Sequence, residues 1–205
     1  MKIELLEYPT EKDWMEVKRR ALVTVGKKPV NPPDSEWKKK ILYARHSPIR
    51  YLRFSFYLEI PYYVSVHLVR HVHAQPYVRS QRNDRQDAYD RCAARQDAPV
   101  AMIWDINAEE LMVVANKRLC MKADPATRKV VERMRECLLD VAPEVCDMMR
   151  PMCVYAGGVC MRWSLVAKGE RMERVERDAV VRRLWKWGSA LEDCERKQRE
   201  ITRLL

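Results

Sequence analysis

The chain has 205 residues, the length of one domain or of one domain with an appendage. Its hydrophobic content of 47% is enough for a packed core, which excludes a disordered protein. A formal net charge of +10 and a pI near 9.3 favour anionic partners, namely nucleotides, nucleic acid or acidic lipid.

Membrane insertion and export are not expected. No apolar run is long enough to span a bilayer, and Met1-Lys2-Ile3-Glu4 has an acid where a signal peptide has basic and then apolar residues. The seven cysteines are odd in number and scattered, which indicates reduced thiols in a cytoplasmic protein. Cys153 and Cys160 are too far apart for a zinc knuckle, and no Cys-x-x-Cys pair occurs, so we expect no metal site.

The first part of the chain alternates short strands with capped helices. Lys2 to Tyr8 predicts a strand, and Thr10 then caps a predicted helix that Gly26 closes after Val25. Asp34 or Ser35 begins a second predicted helix, to about Arg45.

Aromatic and branched residues predict the next strand over Tyr51 to Ile60. Pro61 begins a predicted helix to about His73, because proline fits a first turn and Pro76 forbids simple continuation. The polar run from Gln81 to Asp97 predicts a loop or a solvated helix.

The second part is mainly helical. Pro99 to Ile106 predicts a strand, and Asn107 caps a predicted helix over Ala108 to Cys120. Further helices are predicted from Asp124-Pro125 to about Val141 and from Pro143 to Met149. The segment from Lys168 to Leu205 predicts one or two amphipathic helices. We therefore predict an α+β core domain over residues 1–160, with a mostly antiparallel sheet and flanking helices, and a helical C-terminal extension over residues 161–205.

Two segments concentrate hydrogen-bond donors. On the predicted helix from Pro61, His67, Arg70 and His71 are spaced i, i+3, i+4 and share a face. Asn107 and Arg118, eleven residues apart, share a face of the next predicted helix. Two such helices are able to enclose a phosphorylated ligand, between them or between subunits, although a plain N-cap also accounts for Asn107.

The spacing in the first segment is that of a known signature. Arg70-His71-Val72, then seven residues, then Ser80-Gln81-Arg82 resembles the Arg-His-Arg-x7-Ser motif of the flavin-dependent thymidylate synthases (ThyX). Ile106 to Leu111 with Asn116-Lys117-Arg118 is similar to that family's Val-Asn-Ala-Arg-Ser-Leu … Asn-Leu-Arg block. The resemblance covers roughly residues 40–150 and is to the divergent phage or prophage branch.

The resemblance implies an enzyme that methylates dUMP to dTMP, with FAD as cofactor and methylenetetrahydrofolate and NADPH as co-substrates. It also implies a homotetramer with sites built from several subunits. Residue by residue, it assigns two sets of contacts. The flavin positions are Arg70, His71, Val72, Asn107 and Glu109; the nucleotide positions are His67, Arg70, Ser80, Gln81, Arg82 and Arg118, of which Arg118 orients and polarises the uracil.

The chain departs from the family at four positions. Val72 and Glu109 replace arginines, His67 replaces a glutamine, and Val78 replaces a polar residue. The departures leave open a variant chemistry, such as hydroxymethylation of a pyrimidine nucleotide, or a non-catalytic homologue. A basic nucleic-acid-binding module is the alternative of a different class. It is disfavoured because Tyr77 is the only aromatic residue between Arg70 and Arg85, too few for a stacking platform.

Overall fold

The computed structural model describes residues 1–82, 84, 90 and 92–155. The chain divides into two compact units, Met1–Met149 and Arg150–Leu205. In the second unit only residues 150–155 are described, and they include a short helix, α7 (Met152–Tyr155). Cys160, the predicted boundary at residue 160 and the predicted tail helices lie outside the described residues.

The first unit is built on a four-stranded sheet. Its strands are β1 (Lys2–Glu7), β2 (Arg53–Pro61), β3 (Ala74–Val78) and β4 (Pro99–Asn107), in the order β1-β2-β4-β3. Every neighbouring pair of these strands is antiparallel. The α+β class and the antiparallel sheet predicted from the sequence are therefore confirmed.

Helices cover one face of this sheet. On β2, Phe54, Phe56, Leu58 and Ile60 alternate with more exposed residues and are almost fully buried, and on β4 the same is true of Val100, Met102, Trp104 and Ile106. This period of two directs one face of each strand into the core. The helices are α1 (Glu11–Val23), α2 (Ser35–Tyr43), α3 (Tyr62–Leu68), α4 (Ala108–Arg118), α5 (Pro125–Glu136) and α6 (Pro143–Met148), with a 3₁₀ helix over Ser47–Tyr51.

The predicted helix starts are present with their caps. The carboxylate of Asp13 accepts the backbone N–H of Thr10 at 2.8 Å, and Asp34 accepts that of Trp37 at 2.7 Å. Asn107 accepts the N–H of Glu110 at 2.9 Å. Each bond satisfies a backbone donor at a helix start, which is why these residue types mark the boundaries.

The prediction of one helix from Pro61 to His73 is wrong. Helix α3 ends at Leu68, and two turns follow, in which the His71 N–H donates to the Leu68 carbonyl at 3.0 Å and the Ala74 N–H to the His71 carbonyl at 3.1 Å. The chain then enters β3, an edge strand in which Pro76 is tolerated. Pairing with β4 outweighs local helix preference here, so Arg70 and His71 do not share a helical face with His67.

Candidate functional site

A cavity of about 510 Å³ lies between the turn that follows α3 and one face of α4. Its volume is within the range typical of small-molecule sites, about 300–1,000 Å³. The turn contributes four consecutive residues, and α4 with its cap contributes most of the rest. The lining residues are Arg50, Arg70, His71, Val72, His73, Asn107, Glu109, Glu110, Val113, Lys117 and Arg118.

Asn107 joins the two walls of the cavity. Its side-chain oxygen caps α4 through the N–H of Glu110 at 2.9 Å, and its Nδ2 donates to the carbonyl of His73 at 3.4 Å. The cap therefore also holds the turn against the helix. The predicted eleven-residue spacing brings Asn107 and Arg118 to the same cavity.

His71 and Glu110 form a buried pair in the cavity wall. The Nδ1 of His71 lies 2.8 Å from Oε1 of Glu110, and the two residues are 5% and 6% exposed. Burial lowers the pKa of His71 below its ordinary value of 6.5; the bond to Glu110 opposes this, and the nearby charges of Arg118 and Lys117 add to it. The imidazole is therefore neutral near pH 7.

Positive charge is in excess around the cavity. The lining has four cationic side chains and two acidic ones, which leaves two positive charges in excess when the histidines are neutral. The cations are Arg50, Arg70, Lys117 and Arg118, and the acids are Glu109 and Glu110. Glu109 accepts a hydrogen bond from Nε of Arg50, which raises the pKa of that guanidinium. Such a lining favours an anionic ligand.

Arg118 is held by a chain of contacts behind the cavity. Its Nη2 donates to the backbone carbonyl of His67 at 2.7 Å, and Nδ1 of His67 lies 2.8 Å from Oγ1 of Thr127. Thr127 in turn donates to Asp124 at 2.9 Å. Burial raises the pKa of Asp124, but the bonds from Thr127 outweigh it and hold that pKa below its ordinary value. His67 thus supports Arg118 through its backbone and does not line the cavity.

Ser80, Gln81 and Arg82 are not brought to this cavity within one chain. They follow β3 at the end of the sheet where the Arg79 N–H donates to the Ala101 carbonyl. Asn107 lies at the other end of β4, and the six residue steps from Ala101 to Asn107 span about 20 Å at about 3.3 Å per step. The predicted site is therefore divided between two places.

In the segment from Ser80 to Arg82, the arginine is exposed and paired with a carboxylate. The guanidinium of Arg82 donates two hydrogen bonds to the carboxylate of Asp84, from Nε at 2.8 Å and from Nη2 at 2.6 Å. The backbone N–H of Arg82 donates to Oγ of Ser80 at 3.3 Å. A two-bond contact of this kind is also how arginine holds a phosphate.

Three charged residues of the cavity, Arg50, Glu110 and Lys117, were not predicted from the sequence as site residues. Arg50 comes from the 3₁₀ helix, far from the motif in sequence, and no local pattern marks it. Glu110 belongs to the second motif block but was assigned no contact, although it is seven residues before Lys117 and therefore on the same helical face. That spacing was the signal for Glu110.

Two further features bear on the class of site. Among the described residues, no three His, Cys, Asp or Glu side chains are grouped so that they could hold a metal ion. In the same part of the chain, no helix has the length and apolar character needed to cross a membrane.

Together, the sheet and the basic cavity define an α+β protein with a site suited to an anionic small molecule. No protein-family model and no curated protein sequence matches the chain. A similar solved structure is the UMP/dUMP methylase PolB from Streptomyces cacaoi, bound with 5-Br dUMP. The TM-score is 0.59 at 15% identity, and the match covers 72% of this chain and 93% of that one. The two proteins share a fold.

Proposed function

We propose that this protein is a flavin-dependent pyrimidine-nucleotide methylase of the ThyX-like kind, which converts dUMP to dTMP. The observation that carries the proposal is the cavity itself. It gathers Arg70, His71, Asn107 and Arg118, which come from the two motif blocks, in a fold shared with a UMP/dUMP methylase. The net positive lining suits a ligand that carries phosphates.

The residues present fit FAD. Arg70 and Lys117 supply charged donors for a diphosphate, Asn107 supplies an amide, and the Nε2 of His71 is a buried polar atom that has no hydrogen-bond partner in the described part of the chain. Bound FAD, reduced by NADPH, would supply the hydride that completes the methyl group whose carbon methylenetetrahydrofolate provides.

Arg118 is the residue that we assign to the uracil. The C5 carbon of uracil is a poor nucleophile, so a reaction there depends on stabilising negative charge that develops on the ring carbonyls. A guanidinium is suited to this, and the bond from Nη2 to the His67 carbonyl fixes its orientation before the nucleotide arrives.

We propose that Ser80, Gln81 and Arg82 bind the nucleotide phosphate in the cavity of a neighbouring subunit. Because they lie about 20 Å from Asn107 along β4, one chain cannot present both halves to one mononucleotide. A homotetramer would bring the halves together. In it, a phosphate would replace the Asp84 carboxylate on Arg82.

Flavin binding is the first test. FAD is added to the purified protein, its absorbance spectrum is recorded, and dUMP is titrated in. We expect a bound flavin spectrum that dUMP perturbs, and dUMP-dependent oxidation of NADPH when methylenetetrahydrofolate is present. If the protein binds dUMP tightly but no flavin, it is a non-catalytic homologue, and the proposal is wrong.

The role of Arg118 is tested by Arg118→Ala. Loss of one preorganised donor at a developing oxyanion lowers kcat by roughly 10²–10³-fold. Arg133→Ala is the control, because Arg133 is an exposed arginine of α5 that pairs with Glu136 and does not line the cavity. Retained FAD binding by Arg118→Ala separates a catalytic loss from misfolding, and unchanged turnover would contradict the assignment.

Subunit sharing is tested by complementation. Arg82→Ala and Arg118→Ala carry their defects in different halves of the site. Mixed tetramers of the two variants therefore contain some sites in which both halves are intact. We expect activity to reappear on mixing, and a mixture as inactive as either variant would refute a shared site.

A further inference from the structure

The His71–Glu110 pair determines a property that the proposed function leaves unspecified, namely which ring nitrogen of His71 carries the proton. Both residues are more than nine-tenths buried, and Nδ1 of His71 contacts Oε1 of Glu110 at 2.8 Å. A carboxylate only accepts hydrogen bonds, so the imidazole nitrogen that faces it carries the proton. In a neutral ring the other nitrogen, Nε2, is then a lone-pair acceptor.

That acceptor has no partner among the described residues. Nε2 of His71 is a buried polar atom without a hydrogen bond, and the residue lines the cavity. Buried polar atoms are nearly always satisfied, so an unsatisfied one in a cavity wall indicates a missing donor.

We propose that Glu110 is a positioning residue that fixes His71 as the Nδ1–H tautomer, so that Nε2 accepts a hydrogen bond from an N–H or O–H group of the bound ligand. That this ligand is FAD or dUMP rests on the proposed function. In FAD the donor is a ribityl hydroxyl or the flavin imide N–H, and in dUMP it is the sugar hydroxyl or the uracil imide N–H. A cationic imidazole would have no acceptor to offer.

Trp104 is the competing source of a donor. Its Nε1–H is also buried without a partner among the described residues, and its ring meets that of His71 edge-on, with centroids 6.3 Å apart. A buried water between the two rings would satisfy both nitrogens without any ligand. The experiment therefore includes an arm that detects ligand contact directly.

The test is ¹⁵N NMR of histidine-labelled full-length protein, because lone-pair and N–H ring nitrogens have well-separated shifts. His71→Gln assigns the His71 resonances by difference. We expect the free protein to carry its proton on Nδ1, and we expect the Nε2 resonance to move on addition of FAD or of dUMP. The arm that moves it identifies the ligand.

Glu110→Gln tests the positioning role, and Glu144→Gln is the matched control, since Glu144 is 8% exposed and outside the cavity lining. Glutamine both donates and accepts, so Glu110→Gln should give a mixture of tautomers and roughly tenfold weaker binding of the ligand. The control should change neither. A structural role alone would not alter the tautomer.

Each other outcome overturns a specific statement. A proton on Nε2 in the free protein refutes the dyad, and an Nε2 resonance that neither ligand moves assigns the acceptor to Trp104 or water. If Glu110→Gln does not fold, the proposal is decided by the wild-type spectra, from the His71 tautomer and the shift of its Nε2 resonance on addition of each ligand. If the wild type binds neither FAD nor dUMP, the proposed function is wrong, and the dyad is judged on the tautomer of the free protein alone.

Discussion

Restoring an arginine at position 72 should strengthen flavin binding. Val72 lies at the cavity rim between His71 and His73, is 83% exposed, and stands where the resembled signature has arginine. The substitution Val72→Arg places a guanidinium two residues from Arg70, which we assign to the flavin diphosphate. No packed neighbour has to move, because the valine side chain is already in solvent.

The size of the effect follows from that exposure. A surface substitution of this kind changes the free energy of unfolding by no more than about 0.5 kcal/mol. A hydrogen bond to a charged group contributes about 1.5–3 kcal/mol, and the open rim places the gain at the lower end. About 1.5 kcal/mol corresponds to roughly tenfold tighter binding of FAD.

Fluorescence titration with FAD measures this gain, and Val30→Arg is the control. Val30 is 89% exposed and does not line the cavity, so its arginine adds the same net charge without the contact. The gain of Val72→Arg should shrink at higher ionic strength, since an exposed charge is screened. If Val72→Arg binds FAD no more tightly than Val30→Arg does, the flavin phosphates are not at this rim.

Two further predictions concern charge and pH. Burial lowers the pKa of His71 below 6.5, so the folded protein binds this proton less readily than the unfolded chain does. The contribution of His71 to the free energy of unfolding should therefore be fully present above pH 6.5 and be lost as the pH falls below that value. Urea unfolding at stepped pH should show a flatter profile for His71→Gln than for the wild type, and an identical profile would contradict the effect. Arg50→Glu should weaken FAD binding by leaving two facing carboxylates, and the double variant Arg50→Glu/Glu109→Arg should restore it; continued weakness in the double variant would show that Arg50 itself contacts the ligand.

The sequence predicted those parts of the fold whose determinants are local. Helix caps at Thr10, Asp34 and Asn107 act through backbone groups within three residues, and the alternation of β2 and β4 reflects burial of one sheet face. These signals do not depend on distant contacts, so they were readable without a structure.

The turn after α3 could not be predicted in the same way. The histidines and arginine of this segment fit a helical spacing, but β3 gains a ladder of pairs with β4, from Ala74 opposite Ile106 to Val78 opposite Met102. That partner strand is more than twenty residues away in sequence, and local propensity carries no information about it. The same separation hides the 20 Å gap between Ser80 and the cavity.

The charge of the cavity also depends on Arg50, which neither motif block contains. Relative to the resembled signature, Val72 removes one positive charge and Glu109 reverses another, which suggests a poor site for a diphosphate. Arg50 alters that conclusion because it lines the same cavity and pairs with Glu109, and Glu110 is paired with the neutral His71. The charge of Glu109 is thus balanced by Arg50, and Glu110 is hydrogen-bonded to His71. Arg70 and Lys117, in contrast, have no acidic partner among the described residues. An anion that enters the cavity meets these two cations first, and this is why we expect binding to survive the loss of the motif arginines.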